Sequence, residues 1–308
     1  MIWTLTLNPS IDHFTELEDL QPGTTNRAQR QRYLPGGKGI NVSTVLKNAG
    51  IPVRTIVCLG GFTGDYIQSY LENEGYQPVV IPLDDTTRIN MKIHAAEETE
   101  VNGAAPAFTE ADAAAVLNTV EQIPAGDVLV LSGSLPDTLS TDFYAGIIAR
   151  ARNKGIQTVL DTSGEALRKG MEAGPYLIKP NEEELAAIYG ESIDGMTEAV
   201  RLAQRAAADG ASHVLLSRGG DPSVFTDGSS TWTAVPPEGT VVNTVGAGDS
   251  TAAGFLAASA AGLPPEEAFL SGIAYGSATA FTEGFGSPEA AAAIQKNLIM
   301  TKLEEEIG

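Results

Sequence analysis

The chain has 308 residues, 43% hydrophobic and 19% charged, a composition that suits a folded protein with a substantial core rather than a disordered one. Basic residues number 19 and acidic residues 39, and the resulting net charge of −20 argues against nucleic acid or anionic membrane as partners. The lone Cys58 excludes a disulfide within the chain, and with no long apolar span and no basic, cleavable start the expected location is the cytoplasm.

In chain order, Trp3–Leu7 reads as a strand and is followed by a polar stretch, Asp12–Leu34. Gly39–Asn48 reads as a helix, Val53–Leu59 as an apolar strand and Asp65–Glu74 as a helix. A second polar stretch, Arg88–Asn102, carries apolar residues at alternate positions, Ile89, Met91 and Ile93. Thr109-x-x-Asp112 is a capping-box pattern that opens a helix over Glu110–Gln122. Strands are then expected at Val128–Ser132, Gln157–Asp161, Tyr176–Lys179 and His213–Ser217. The helices among them are Thr141–Asn153, Glu182–Tyr189 and Thr197–Ala208, and a small-residue helix covers Asp249–Gly262. Gly50, Gly75, Gly155 and Gly210 stand where helices end in a left-handed residue.

This alternation implies a doubly wound, mostly parallel sheet between two helix layers, with ligands beyond the carboxyl ends of the strands. The two polar stretches read as antiparallel strands exposed on one face. The expectation is one α/β domain spanning 1–308, with segments of about 12–34 and 88–104 pairing into a small β-sheet lid.

Asn243-Thr-Val-Gly-Ala-Gly-Asp-Ser-Thr-Ala252 carries the most chemistry. Gly246, Ala247 and Gly248 allow a sharp turn whose N–H groups point at one spot, beside a helix N-terminus that adds partial positive charge. Asp249 stands next to this anion hole, which suits phosphoryl transfer to a hydroxyl with Asp249 as base. Capping of the helix is its alternative role. In so acidic a chain, phosphate ligands would depend on local cations such as Lys38 in Gly36-Gly37-Lys38-Gly39. No Walker motif occurs, and His13, His94 and His213 lack metal-ligand spacing. Asn181-Glu-Glu-Glu184 fits an ordinary acidic first turn, or a carboxylate near nucleotide-bound Mg²⁺.

Pro35-Gly-Gly-Lys-Gly-Ile-Asn-Val42, Ser132-Gly-Ser-Leu-Pro136, Lys179-Pro-Asn-x-x-Glu184 and Thr244-Val-Gly-Ala-Gly-Asp-Ser250 occur in that order. Together they resemble the ribokinase-like carbohydrate kinases of the PfkB family, over nearly the whole chain. The resemblance implies a three-layer αβα sandwich and an ATP- and Mg²⁺-dependent sugar-phosphate kinase. Thr6-Leu-Asn-Pro-Ser-Ile-Asp12, Gly60-Gly-Phe-Thr-Gly64, Thr87-Arg-Ile-Asn-Met-Lys92 and Leu160-Asp-Thr-Ser-Gly-Glu-Ala166 are most similar to members that phosphorylate fructose 1-phosphate at C6. Tagatose 6-phosphate is the alternative substrate, and a non-catalytic sugar-phosphate sensor the alternative from another class.

The resemblance also implies roles. Asp249 takes the proton from the acceptor hydroxyl, and N–H groups of Gly246, Ala247 and Gly248 stabilise the transferred phosphoryl. Asp12 and Asn41 bind sugar hydroxyls, Gly36 and Gly37 let the backbone approach the sugar, and Arg27, Lys38, Arg88 and Ser132 surround the substrate phosphate. Lys179, Asn181, Ser217 and Gly219 lie near the nucleotide, with the Gly276–Ala280 region by the adenine, and Glu184 serves Mg²⁺. Ser217-Arg-Gly-Gly-Asp-Pro-Ser223 departs from the family pattern, since Pro222 stands where relatives carry glycine. A homodimer formed through the lid is the implied assembly.

Overall fold

A computed structural model describes residues 1–304. The strands are β1 (Ile2–Thr6), β2 (Ser10–Glu16), β3 (Arg30–Gly36), β4 (Val53–Leu59), β5 (Val79–Pro82), β6 (Arg88–His94), β7 (Glu98–Val101), β8 (Val128–Ser132), β9 (Gln157–Asp161), β10 (Leu177–Ile178), β11 (His213–Leu216), β12 (Ser223–Thr226), β13 (Thr231–Ala234) and β14 (Met300–Leu303). The helices are α1 (Lys38–Asn48), α2 (Gly61–Asn73), α3 (Glu110–Val120), α4 (Phe143–Asn153), α5 (Gly164–Glu172), α6 (Glu182–Tyr189), α7 (Met196–Ala208), α8 (Ala247–Ala260), α9 (Pro265–Ala280) and α10 (Pro288–Gln295).

The main sheet runs β14-β13-β12-β11-β10-β9-β8-β1-β4-β5. From β5 to β11 every pairing is parallel, and β12, β13 and β14 extend it antiparallel. Successive residues of each inner strand point to opposite faces. Leu129, Leu131 and Leu160 join one core with Val116 of α3, Ile147 of α4 and Leu202 of α7. Val130, Val159 and Leu215 join the other with Val45 of α1, Phe255 of α8 and Phe269 of α9. Helices on both faces bury both, which is why these strands read as unbroken apolar runs. The result is the mostly parallel sheet between two helix layers that the alternation predicted, and the three-layer αβα sandwich that the resemblance implied.

Strand order reverses between β1 and β8: from β1 the chain winds to β4 and β5, then crosses to β8 and proceeds the other way. A crevice opens at such a point, outside the carboxyl ends of the two strands.

The second sheet, β3-β2-β6-β7, stands apart from the main one. It corrects one expectation. β2 pairs with β3, and β6 with β7, antiparallel, but the central pair β2–β6 is parallel. Both central strands leave the carboxyl end of the main sheet's parallel strands, β2 after β1 and β6 after β5. α2 also starts earlier than expected, at Gly61 rather than Asp65. A Cβ on Gly60 would meet the Asp85 carbonyl oxygen at 2.0 Å, so these glycines let the helix begin hard against the neighbouring loop.

Candidate active site

Residues from both sheets meet at the switch point around a cleft of about 300 Å³. Its lining includes Thr6 and Asn8 after β1, Ser10 and Asp12 of β2, and Gly37, Lys38 and Asn41 at the start of α1. Arg88 and Asn90 of β6, Gly133 and Ser134 after β8, Thr162 and Ser163 after β9, and Glu184 of α6 complete it.

Asp249 lies in the first turn of α8, joined to the cleft through Asn41, and is 6% exposed. The helix has no side-chain cap, so Asp249 does not play the capping role. Its Oδ2 instead accepts a hydrogen bond from Asn41 Nδ2 at 2.7 Å. Burial, and then the like charge of Asp161, push its carboxyl up to about 6, while Lys38, Asn41 and Lys179 pull the other way. A carboxyl tuned this way is a better proton acceptor than a solvated one near neutral pH.

Gly246 adopts φ +80°, and a Cβ there would lie 2.6 Å from Phe285, so only glycine fits. The N–H groups of Gly246 and Gly248 have no acceptor among the described residues, as an anion hole requires. Ala247 departs from expectation: its N–H donates to the Thr244 carbonyl at 3.2 Å and holds the turn instead of facing a ligand. Lys179 arrives from just beyond β10 with its Nζ 3.3 Å from where a Cβ of Gly248 would sit. That places an ammonium group beside the turn.

Along the cleft wall, Asp12 Oδ1 accepts from Ser10 Oγ at 2.8 Å and Asn90 Nδ2 at 2.9 Å. Gly36 faces that carboxylate across the β2–β3 pair, where a Cβ would stand 2.5 Å from it. Gly37 has φ +128° and caps α1 without a side chain. Arg88 donates from Nη2 to the Asn8 carbonyl at 3.2 Å, and its buried Nε is unpaired. Burial pulls its guanidinium below its ordinary range, and Asp12 opposes the shift.

Lys38 Nζ lies 2.8 Å from Asp161 Oδ1, so it is already ion-paired. Asn41 likewise holds Asp249 in addition to lining the cleft. Ser132 is buried and does not line the cleft, its Oγ without a partner among the described residues, while Gly133 and Ser134 do the lining. Arg27 is exposed on the loop between β2 and β3 and does not line the cleft.

Asn181 and Glu184 form a full capping box on α6: Glu184 N donates to Asn181 Oδ1, and Asn181 N to Glu184 Oε2. Ser217 bridges to Asn181 at the end of β11, and Gly219 turns left-handed at φ +59°. Arg218 closes this loop onto α6 through Glu182, Nε to Oε1 at 2.5 Å. Gly276 is spoken for by packing, since a Cβ there would meet Thr251 Oγ1 of α8 at 2.2 Å.

With this geometry, the chain matches the family described as pfkB family carbohydrate kinase over residues 5–292. The chain belongs to that family. It is 40% identical to a 1-phosphofructokinase of Bacillus subtilis, covering 98% of this chain and 100% of that one. A D-tagatose-1-phosphate kinase of Bacillus licheniformis is 36% identical, covering 93% and 94%. The crystal structure of Escherichia coli phosphofructokinase-2 in complex with fructose-6-phosphate superposes with a TM-score of 0.90 at 30% identity, covering 96% and 98%. The chain is therefore a carbohydrate kinase of that family.

The residues suit the ligands that such a kinase needs. The uncapped N-terminus of α8, the free Gly246 and Gly248 N–H groups and Lys179 fit nucleotide phosphates. No group of three or more carboxylate, histidine or cysteine side chains is placed to hold a metal among the described residues. Mg²⁺ would thus depend mainly on phosphate oxygens and water, with Glu184 alongside.

Two residues escaped sequence reasoning. Asp161 is fully buried between Lys38 and Lys179. Asn90 holds Asp12. The signal for Asp161 was a carboxylate closing an otherwise apolar strand at its ligand-facing end.

Proposed function

We propose that the protein transfers the γ-phosphoryl group of ATP to the C6 hydroxyl of fructose 1-phosphate, giving fructose 1,6-bisphosphate. The observation that carries this is the constellation around Asp249: a buried, uncapping carboxylate with a raised pKa, next to the Gly246–Gly248 turn and hydrogen-bonded to Asn41, which lines a cation-bearing, sugar-sized cleft. Asp249 accepts the hydroxyl proton as the oxygen–phosphorus bond forms. Gly246 and Gly248 N–H groups and Lys179 stabilise the charge on the transferred group. Asp12, fixed by Asn90 and Ser10, orients sugar hydroxyls, and Arg88 pairs with the substrate phosphate in the forked geometry that guanidinium allows. Mg²⁺ would neutralise phosphate charge.

The fructose 1-phosphate assignment is supported by the Bacillus subtilis relative and by the Phe62-Thr-Gly64 and Arg88-Ile-Asn90 segments. The competing substrate is tagatose 1-phosphate, which differs from fructose 1-phosphate only in configuration at C4, because a relative named for it is 36% identical. Phosphorus NMR of the product from fructose 1-phosphate and ATP tests the site of transfer. A second phosphomonoester on C6 is expected, and one elsewhere, or ATP hydrolysis alone, contradicts the reading.

Glu184→Gln probes the metal side. Glutamine still serves the capping box, so helix α6 is kept while the charge is lost. The Mg²⁺ concentration for half-maximal rate should rise on the order of tenfold. An unchanged Mg²⁺ dependence would leave Glu184 as a capping residue only.

The chain acts in this reading as one kinase domain, with the small sheet as its lid. A row crosses all four of that sheet's strands: Tyr33, His13, Met91 and Val101 are direct neighbours. Tyr33, Met91 and Val101 are exposed. A second copy would cover this apolar row, giving a homodimer. Sedimentation should show a dimer that Met91→Asp weakens; a wild-type protein of single-subunit mass would contradict it.

A further inference from the structure

Asp161 closes β9 with its side chain fully buried, and each of its oxygens faces a different ammonium group. Lys38 Nζ lies 2.8 Å from Oδ1, and Lys179 Nζ lies 3.3 Å from Oδ2. The two lysines come from opposite sides of the reaction. Lys38 opens α1 and lines the sugar-facing cleft. Lys179 leaves β10 and stands over Gly248 of the anion turn. One carboxylate thus ties the acceptor side to the donor side.

We propose that Asp161 is a positioning residue for phosphoryl transfer, holding Lys38 and Lys179 on either side of the path that the phosphoryl group takes. The proposal rests on the reading of Asp249 as base. A lysine has four rotatable stem bonds and a compact charge, so an unanchored ammonium group samples many positions. The transferring group gathers negative charge on its equatorial oxygens, and fixed cations on both sides stabilise it without reorganising. The two ammonium groups balance the carboxylates of Asp161 and Asp249, which both face them. A bridge serving only the fold would not need to join the two ligand-facing loops.

The same cluster acts on Asp249. The charged groups that face it are Asp161 from β9, Lys38 from α1 and Lys179 from just after β10, with Asn41 of α1 as hydrogen-bond donor. Glu184 of α6 acts on Lys38. Burial disfavours the charge of Asp161, yet Lys179 and Lys38 hold it below the usual carboxylate range. Asp161 therefore stays ionised and tempers the pull of both lysines on the base.

Asp161→Asn, of equal size, tests this in the full-length enzyme with fructose 1-phosphate and ATP. The expected result is a kcat lower by about 10²-fold, the scale of a misplaced catalytic group. The acid limb of kcat/KM should also move to lower pH, because Asp249 loses a like charge and meets both lysines undivided. Combined with Lys38→Gln, the losses should not multiply, since the second change removes a group already adrift. Multiplying losses with an unmoved acid limb would make Asp161 a structural residue and overturn the proposal. Should Asp161→Asn fail to fold, the double variant restores the charge of the cluster. Its acid limb should then lie below that of Lys38→Gln alone, and an identical limb would overturn the proposal. Asp249→Asn measured alongside separates the two claims. A wild-type rate there removes the base; a slow Asp249→Asn with an unmoved limb in Asp161→Asn removes only the role given to Asp161.

Discussion

Asp249→Asn lowers kcat by roughly 10²–10⁴-fold, the usual contribution of a general base. The variant keeps the size of the side chain, and its amide still meets Asn41, so the α8 turn and the core behind it stay in place. KM for sugar and nucleotide should change little. The wild-type enzyme adds a check in pH. The base works deprotonated, and its carboxyl is pushed up to about 6 by burial and Asp161. kcat/KM is therefore full above that value and falls as pH drops through it, and this limb should vanish in Asp249→Asn. A near-wild-type kcat in the variant would sink the assignment. The capping role is already removed, because α8 has no side-chain cap.

Arg88→Ala raises KM for fructose 1-phosphate about 10- to 150-fold, the equivalent of a charge-assisted hydrogen bond of roughly 1.5–3 kcal/mol. The structure sharpens this expectation. Among the described residues Arg88 makes a single hydrogen bond, to the Asn8 carbonyl, and its buried Nε has no partner. A buried donor without an acceptor is costly, and a phosphate oxygen would satisfy it. KM for ATP should barely move, since the groups proposed to meet the nucleotide lie at the α8 turn and beyond β10. Equal losses for fructose 1-phosphate and for unphosphorylated fructose would mean that Arg88 shapes the small sheet rather than reading phosphate.

Much of this architecture was legible because the buried strands are long apolar runs: Val53–Leu59, Val128–Ser132 and Gln157–Asp161 begin and end where expected. The strands β12, β13 and β14 were not, for each has four residues, and threonine and serine occupy several of their positions. Their pairing is decided by neighbours rather than by local pattern. The parallel β2–β6 pair was hidden for a related reason. Alternation marks a one-sided sheet, while strand direction depends on where the chain leaves the core.

The site divides in the same way. Glycine positions and Asp249 could be read from a contiguous motif, since their geometry is local. Arg27 could not be placed, because it lies on an exposed loop whose neighbours within the chain do not bring it to the cleft. Asp161 was invisible as a partner, because Lys38 and Lys179 reach it from sequence positions 123 and 18 residues away. For Asn181 and Glu184 the structure bears out the helix-start reading. Their capping box is formed, and Glu184 still lines the cleft.

Fructose 1-phosphate turnover tests the central claim most directly. ADP release should be followed with ATP and, in turn, fructose 1-phosphate, tagatose 1-phosphate, tagatose 6-phosphate, fructose 6-phosphate and fructose. The account predicts the highest kcat/KM for fructose 1-phosphate. A preference for either 6-phosphate would contradict the assignment, and no turnover on any of them would leave a sugar-phosphate sensor in place of an enzyme.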